Sequence, residues 1–272
     1  MVKNLTAGKL LQGSLPLYPW SRAFGDTIIL VVIATVMSMG CGAVLMMLLE
    51  GGVKAVLGLI SSDVRDVVFV ANADLVAAIS RLLGHAIDCL AALMFLWGSL
   101  GGKPVAEALS LNVRRLRFGW LQALLYAGLG FCVYKLAVWL VYDYFAFVAV
   151  SGSGGLVKTA SQLSGWPMAV MMLQTLVFAP ILEEVVHRGF IYNILRSSLR
   201  VSLGRHVWLA DLLACLFGAG LFTMLHVTAS APLAIFIGAI IMTELYRRTG
   251  SLVCPILMHL MLNAWVWYTL LT

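Results

Sequence analysis

WPMAVMMLQTLVFAPILEEVVHRGF, residues Trp166 to Phe190, starts as a membrane span and then places Glu183, Glu184, His187 and Arg188 where lipid-facing side chains should be. The apolar run extends to Leu195, long enough for a helix to cross a hydrocarbon core, which takes about 20 residues. Charge at that depth is costly: one charged side chain at the centre of a spanning helix is disfavoured by about 2.5 to 3.5 kcal/mol on the lenient insertion scale. Several such groups together therefore point to a protected, hydrated working site. Within the stretch, Pro180 lacks an N–H and kinks a helix just before the carboxylates, opening room for water. Adjacent helical residues point about 100° apart, so Glu183 and Glu184 face different ways. Glu184 and Arg188, at i and i+4, are placed to form an ion pair. Glu183 is left over as a candidate general base, with His187 at i+4 as a modulator that could hold it.

Working outward, the 272-residue chain is 62% hydrophobic and only 11% charged, with mean hydropathy +0.99. No soluble domain buries that much apolar side chain, so the chain reads as all-α, a single polytopic membrane domain of about seven helices over 1–272. The spans fall near Thr27 to Leu49, Leu83 to Gly101, Gly119 to Val141, Trp166 to Leu195, Val207 to Val227, Ala231 to Tyr246 and Leu252 to Leu271. The net charge of +6 reports orientation here and does not call for nucleic acid. Lys3, Lys9 and Arg22, then Lys103, Arg114, Arg115 and Arg117, then Arg196, Arg200 and Arg205, then Arg247 and Arg248 occupy alternate connections, while the others carry Lys158 or no basic residue, except the first, where Lys54, Arg65 and Arg81 are offset by Glu50, Asp63, Asp66 and Asp74. The positive-inside rule then puts the N-terminus in the cytoplasm and the C-terminus outside, as a multi-pass protein of the cell membrane. The mixed charges between the first two spans make that connection the weakest part of the topology. The first span is too long for a signal-peptide core and is read as retained. Cys41, Cys89, Cys132, Cys215 and Cys254 have no CxxC spacing and read as packing residues. His85 and Asp88 share a face of the second span, Lys135 lies near the end of the third and can snorkel, and 152–165 reads as a Gly/Ser-rich loop.

From Trp166 onward, polar residues recur inside the spans. Phe222-Thr-Met-Leu-His226 closes the fifth, and Ser251-Leu-Val-Cys-Pro255-Ile-Leu-Met-His259-Leu-Met-Leu-Asn263 opens the last. Ser251 is placed to cap that helix, and His259 and Asn263, at i and i+4, share a face. An imidazole N–H beside an amide N–H makes a pair of donors suited to an oxyanion. A proton or ion path through a transporter is the alternative that buried charge alone allows, and a non-catalytic membrane scaffold is a third.

Taken in order, Glu183-Glu184-Val-Val-His-Arg188, Phe222-Thr-Met-Leu-His226 and His259-Leu-Met-Leu-Asn263 resemble the EExxxR, FxxxH and HxxxN or HxxxD motifs of the CPBP (ABI) family. These intramembrane proteases are related to the eukaryotic CAAX prenyl endopeptidase and to bacteriocin-processing or self-immunity membrane proteins. The resemblance covers about 166–268 and includes the flanks Ala179-Pro180 and Arg188-Gly189-Phe190. It implies hydrolysis of a peptide bond in a membrane-associated peptide or lipidated protein. Glu183 and His226 would activate water, and His259 and Asn263 would stabilise the oxyanion, at about 3 to 4 kcal/mol per donor in a dry site. Glu184 and Arg188 would be architectural. No cofactor is favoured. Zn2+ held by Glu183, His226 and His259 is the alternative, weakened by the absence of HExxH and by Asn263, a poor zinc ligand.

One difficulty follows from counting residues at about 1.5 Å each. Glu183 lies about 20 Å along its helix from Arg196, whereas His226 lies about 31 Å from Arg205, near the far surface. For them to meet, the helices must tilt or the fifth span must start outside the bilayer.

Overall fold

The structure, a computed structural model, describes residues 48, 51, 116, 119–144, 165–226 and 231–272. The expected spans Thr27 to Leu49 (apart from Leu48) and Leu83 to Gly101, the His85 and Asp88 pair, and the loop before Gly165 lie outside the described residues. Everything regular among the described residues is helical.

Among the described residues, five helices pack together. Helix α1 runs Gly119–Trp139 and widens into a π-helical turn at Leu140–Tyr144. Helix α2 is continuous over Gly165–Leu203, helix α3 spans Val207–Met224, helix α4 Pro232–Thr249 and helix α5 Val253–Leu271. Four of them, α1 with its π turn, α2, α3 and α5, are long and apolar enough to cross a membrane, and the protein is multi-pass. Helix α4 forms where the sixth span was expected, but its last two turns carry Glu244, Arg247 and Arg248.

Side-chain clusters set the directions. Leu116 and Ala123 meet Val253 and Cys254, and further along Phe131 meets Trp265, so α1 and α5 run parallel. Ala219 and Phe222 of α3 pack on Ala239 of α4, while Cys215, earlier on α3, meets Thr243, later on α4, so that pair is antiparallel. Small residues permit these approaches: Ala123, Ala127 and Gly130 form the buried stripe of α1, and Ala210, Ala214 and Ala219 that of α3. Helix α4 ends in a left-handed glycine, Gly250 at φ 63°, whose N–H closes on the Tyr246 carbonyl. Exposed aromatics mark the ends, Trp120 and Trp208 at one and Tyr144, Trp166 and Tyr268 at the other. Cys132, Cys215 and Cys254 are unbridged.

The counting difficulty dissolves once the extent of α2 is seen. The helix does not stop at Leu195; it continues to Leu203 before turning into α3 at Val207. Measured from that turn, Glu183 and His226 both lie about 30 Å away and stand at the same height. His226 therefore stands level with Glu183, and α3 starts about two turns beyond the end of α4. Asn193 Nδ2 donates to the Tyr246 hydroxyl at 2.9 Å, which puts the end of α4 level with Asn193 and leaves 194–203 projecting past it. That projection is amphipathic: Ile194, Leu195 and Leu199 are buried, while Arg196 and Arg200 reach across to Asp211 of α3 at 2.9 and 2.8 Å.

Candidate active site

Glu183 and Glu184 lie where α2 passes between two π-helical stretches, Gln174–Phe178 and Val185–Tyr192. Each π turn inserts a residue into the helical ladder and frees backbone groups, a local irregularity that recurs at functional sites. The two carboxylates diverge as the 100° rotation requires. Glu184 is fully buried. Its Oε1 accepts from Arg188 Nη1 at 2.8 Å and from His259 Nδ1 at 2.9 Å. Arg188, 2% exposed, spends its second donor on the Ala239 carbonyl at 3.1 Å and stacks its guanidinium 4.7 Å over the Phe222 ring. The pair is thus a bridge between α2, α4 and α5, and Arg188 Nη2 finds a carbonyl that Thr243 Oγ1 also uses.

Glu183 turns toward a more open space. Its Oε2 is 3.7 Å from His226 Nε2 and 3.9 Å from His259 Nε2, too far for direct hydrogen bonds, and it accepts none from the protein. Both imidazoles are fixed from behind. A carbonyl can only accept, so His226 donates Nδ1–H to Phe222 O at 2.8 Å and turns Nε2 to Glu183. His259 likewise donates Nδ1–H to Glu184 and presents Nε2 from the opposite flank. Exposure grades across the group: the side chains of His226 and Glu183 are 34% and 25% exposed, that of His259 only 9%.

The Phe222 ring is the packing centre. His187 meets it edge-on at 4.9 Å, His226 lies at 4.6 Å and His259 at 6.0 Å. His187 is buried, and its Nδ1 makes no hydrogen bond; its contact is with Phe222, and no bond joins it to Glu183. Asn263 is half-buried one turn beyond His259 and donates Nδ2–H to the Thr175 carbonyl at 2.7 Å. The Thr175 hydroxyl in turn accepts from Trp267 Nε1 at 2.7 Å. Ser251 Oγ accepts from Val253 N at 3.3 Å, and Leu252 occupies the cap position proper.

The structure therefore brings Glu183, His226 and His259 to one point, holds Glu184 and Arg188 beneath it, and places Asn263 on the same stripe as His259. Thr175 and Trp267 were not singled out in the sequence. Trp267 stands at i+8 from His259 on the His259–Asn263 face, and Thr175 precedes Pro180 by five residues, which acquires meaning only in a π turn. Among the described residues, no group of three or more His, Cys, Asp or Glu side chains is arranged to hold a metal ion.

Residues 164–265 match the family model described as type II CAAX prenyl endopeptidase Rce1-like. The matched segment contains all three motifs and agrees with the resemblance drawn from them. Nothing among the curated proteins and nothing among the solved structures matches the chain.

Proposed function

We propose that this protein is an intramembrane endopeptidase that hydrolyses a peptide bond near the C-terminus, or in the membrane-proximal part, of a membrane-associated or lipidated substrate, as in CAAX processing. The observation that carries the reading is the convergence of His226 Nε2 and His259 Nε2 on the unpartnered Oε2 of Glu183, at 3.7 and 3.9 Å. A water within reach of Glu183 and His226 meets two basic atoms. It loses a proton to Glu183 as it adds to the substrate carbonyl, and the resulting oxyanion is held by His259 Nε2–H and the second N–H of Asn263. The proton then passes from Glu183 to the leaving nitrogen and the C–N bond breaks, giving a carboxylic acid and an amine, which leave as carboxylate and ammonium. In this step His259 carries both ring protons, Nδ1–H on Glu184 and Nε2–H toward the oxyanion. Oxyanion donors in dry sites each supply about 3 to 4 kcal/mol. Zinc has no part in this reading.

The whole chain forms one membrane domain of seven spans, with the N-terminus cytoplasmic and the C-terminus outside, in the cell membrane. In that orientation His259, six residues into α5, lies about 9 Å from the cytoplasmic start of its helix. A peptide bond near the end of a lipid-anchored cytoplasmic tail is within reach of such a site. A transporter has no use for an amide and an imidazole aligned at i and i+4 beside a free carboxylate.

The test uses purified protein in nanodiscs and an internally quenched peptide ending in farnesyl-Cys-Val-Ile-Met, with its unprenylated counterpart. Wild type should cleave the lipidated probe, and Glu183→Gln and His226→Ala should abolish cleavage with unfolding temperatures unchanged. Equal cleavage by Glu183→Gln would overturn the glutamate mechanism, and cleavage of neither probe by wild type would overturn the CAAX-type assignment.

A further inference from the structure

Helix α2 contains one backbone carbonyl that its own helix cannot satisfy. In the π turn Gln174–Phe178 the N–H of Ala179 bonds back five residues to Gln174 O. It therefore does not serve Thr175 O, its partner in an α-helix. In the π register the next donor in line is residue 180, and residue 180 is proline, with no N–H. Thr175 O has lost both intrahelical partners, and an unpaired buried carbonyl costs about 1 to 3 kcal/mol. Asn263 Nδ2 supplies the missing donor at 2.7 Å.

The same residue offers a second hold. Thr175 Oγ1 donates to Met171 O at 2.9 Å and accepts from Trp267 Nε1 at 2.7 Å, and Trp267 is 2% exposed. His259, Asn263 and Trp267 are spaced four apart on α5, and each makes a polar bond to α2: to Glu184, to Thr175 O and to Thr175 Oγ1. Two of those three rungs meet at Thr175. The bond to a carbonyl also fixes which way the Asn263 amide points, since only the NH2 end can face an acceptor. One N–H is spent on Thr175, and the other remains for a reacting group.

Resting on the reading of Asn263 as an oxyanion donor, we propose that Thr175 is a positioning residue, which with Pro180 and Trp267 forms a clasp that sets the register and amide orientation of Asn263 against Glu183. Thr175 touches no reacting atom. It acts through Asn263, so its effect belongs in turnover and not in substrate affinity.

The experiment has a kinetic and a spectroscopic arm, both on the full chain in nanodiscs. In the first, the farnesylated peptide is cleaved by wild type, Thr175→Val and Thr175→Ser. Valine keeps the shape and removes the hydroxyl. It should lower kcat about tenfold with KM within about twofold, less than the loss of a whole oxyanion donor, and serine should restore kcat. In the second, the protein carries isotope-labelled asparagine, and the Asn263 side-chain amide resonance is identified by its loss in Asn263→Ala. Thr175→Val should shift it. Pro180→Ala should shift it too, because the new N–H competes for Thr175 O. An Asn263 resonance unmoved in both variants, or a Thr175→Val defect confined to KM, would overturn the clasp. The resonances need no turnover, so failure of the protease reading on this probe leaves the clasp to be decided by the second arm.

Discussion

Asn263 is the site residue whose chemistry is most exposed to a single-atom change. Its Nδ2 faces the Thr175 carbonyl at 2.7 Å, and a carboxylate there would set two acceptors against each other. Asn263→Asp should therefore cleave no faster than Asn263→Ala, about 100-fold below wild type or lower, although aspartate also occurs in the motif this chain resembles. Initial rates on the farnesylated peptide decide it; faster cleavage by the aspartate variant would show that Asn263 works as an acceptor. Arg188 makes a different kind of prediction. It is 2% exposed and bridges Glu184 and the Ala239 carbonyl, so Arg188→Met leaves Glu184 buried with only His259 opposite. Breaking a buried pair from one side costs about 3 to 5 kcal/mol, and thermal unfolding in detergent should register that loss. Adding Glu184→Gln should recover part of it, since the uncompensated charge is then gone. Both residues were legible as an i, i+4 pair in the sequence, as was Glu183 as the carboxylate left over. His187 was placed beside Glu183 by the same spacing, yet its ring is packed on Phe222. Spacing fixes which residues share a helical face and says nothing of which large ring on a neighbouring helix will claim one.

Among the described residues, hydropathy located the helices well and their ends poorly. The expected span closed at Leu195 because Arg196 and Arg200 lower the apolar average, but the backbone goes on to Leu203. A helix leaving lipid keeps its hydrogen bonds and changes only its pattern, from apolar all round to one apolar stripe. The two π turns in α2 were equally hidden, since only Pro180 marks the first, and a proline reads as a kink whether or not the register shifts. Where a turn requires a special backbone, the sequence is more explicit. Gly250 closes α4 at φ 63° and hands the chain to α5, whose seventh residue is His259. A β-branched side chain in the left-handed region costs about 1 to 2 kcal/mol, so Gly250→Val should lower the unfolding temperature. It should also slow cleavage, because α5 enters through that turn, whereas Gly250→Asn should be close to wild type in both measurements. Equal unfolding temperatures for all three proteins would contradict the strained turn.

For the whole molecule, the hydrophobic total announced a membrane bundle, and the polar exceptions announced where side chains from three helices converge. How the helices pair was not written there, because in lipid every apolar face is equally content and association falls to close packing of small residues. Alanines and glycines are spread along the whole chain, so their abundance does not single out a contact. The structure singles out Gly130. A Cβ on that residue would stand 2.8 Å from Leu245 Cδ1 and 2.9 Å from Met258 Sδ, where α1 meets α4 and α5 together. Met258 immediately precedes His259, so pressure at Gly130 acts on the helix that carries His259 and Asn263. The Leu245 methyl and the Met258 thioether sit on flexible chains, and Gly130→Ala should be absorbed with little change in unfolding temperature. Gly130→Leu cannot be absorbed that way. It overfills the contact, costs about 1 to 3 kcal/mol and pushes α1 from α5. Gly128, two residues back and on nearly the opposite face with open space around its missing Cβ, supplies the control: Gly128→Leu should unfold near the wild-type temperature in the same nanodiscs. If the leucine at 130 were as harmless as the leucine at 128, α1 would not be seated on α4 and α5 through Gly130.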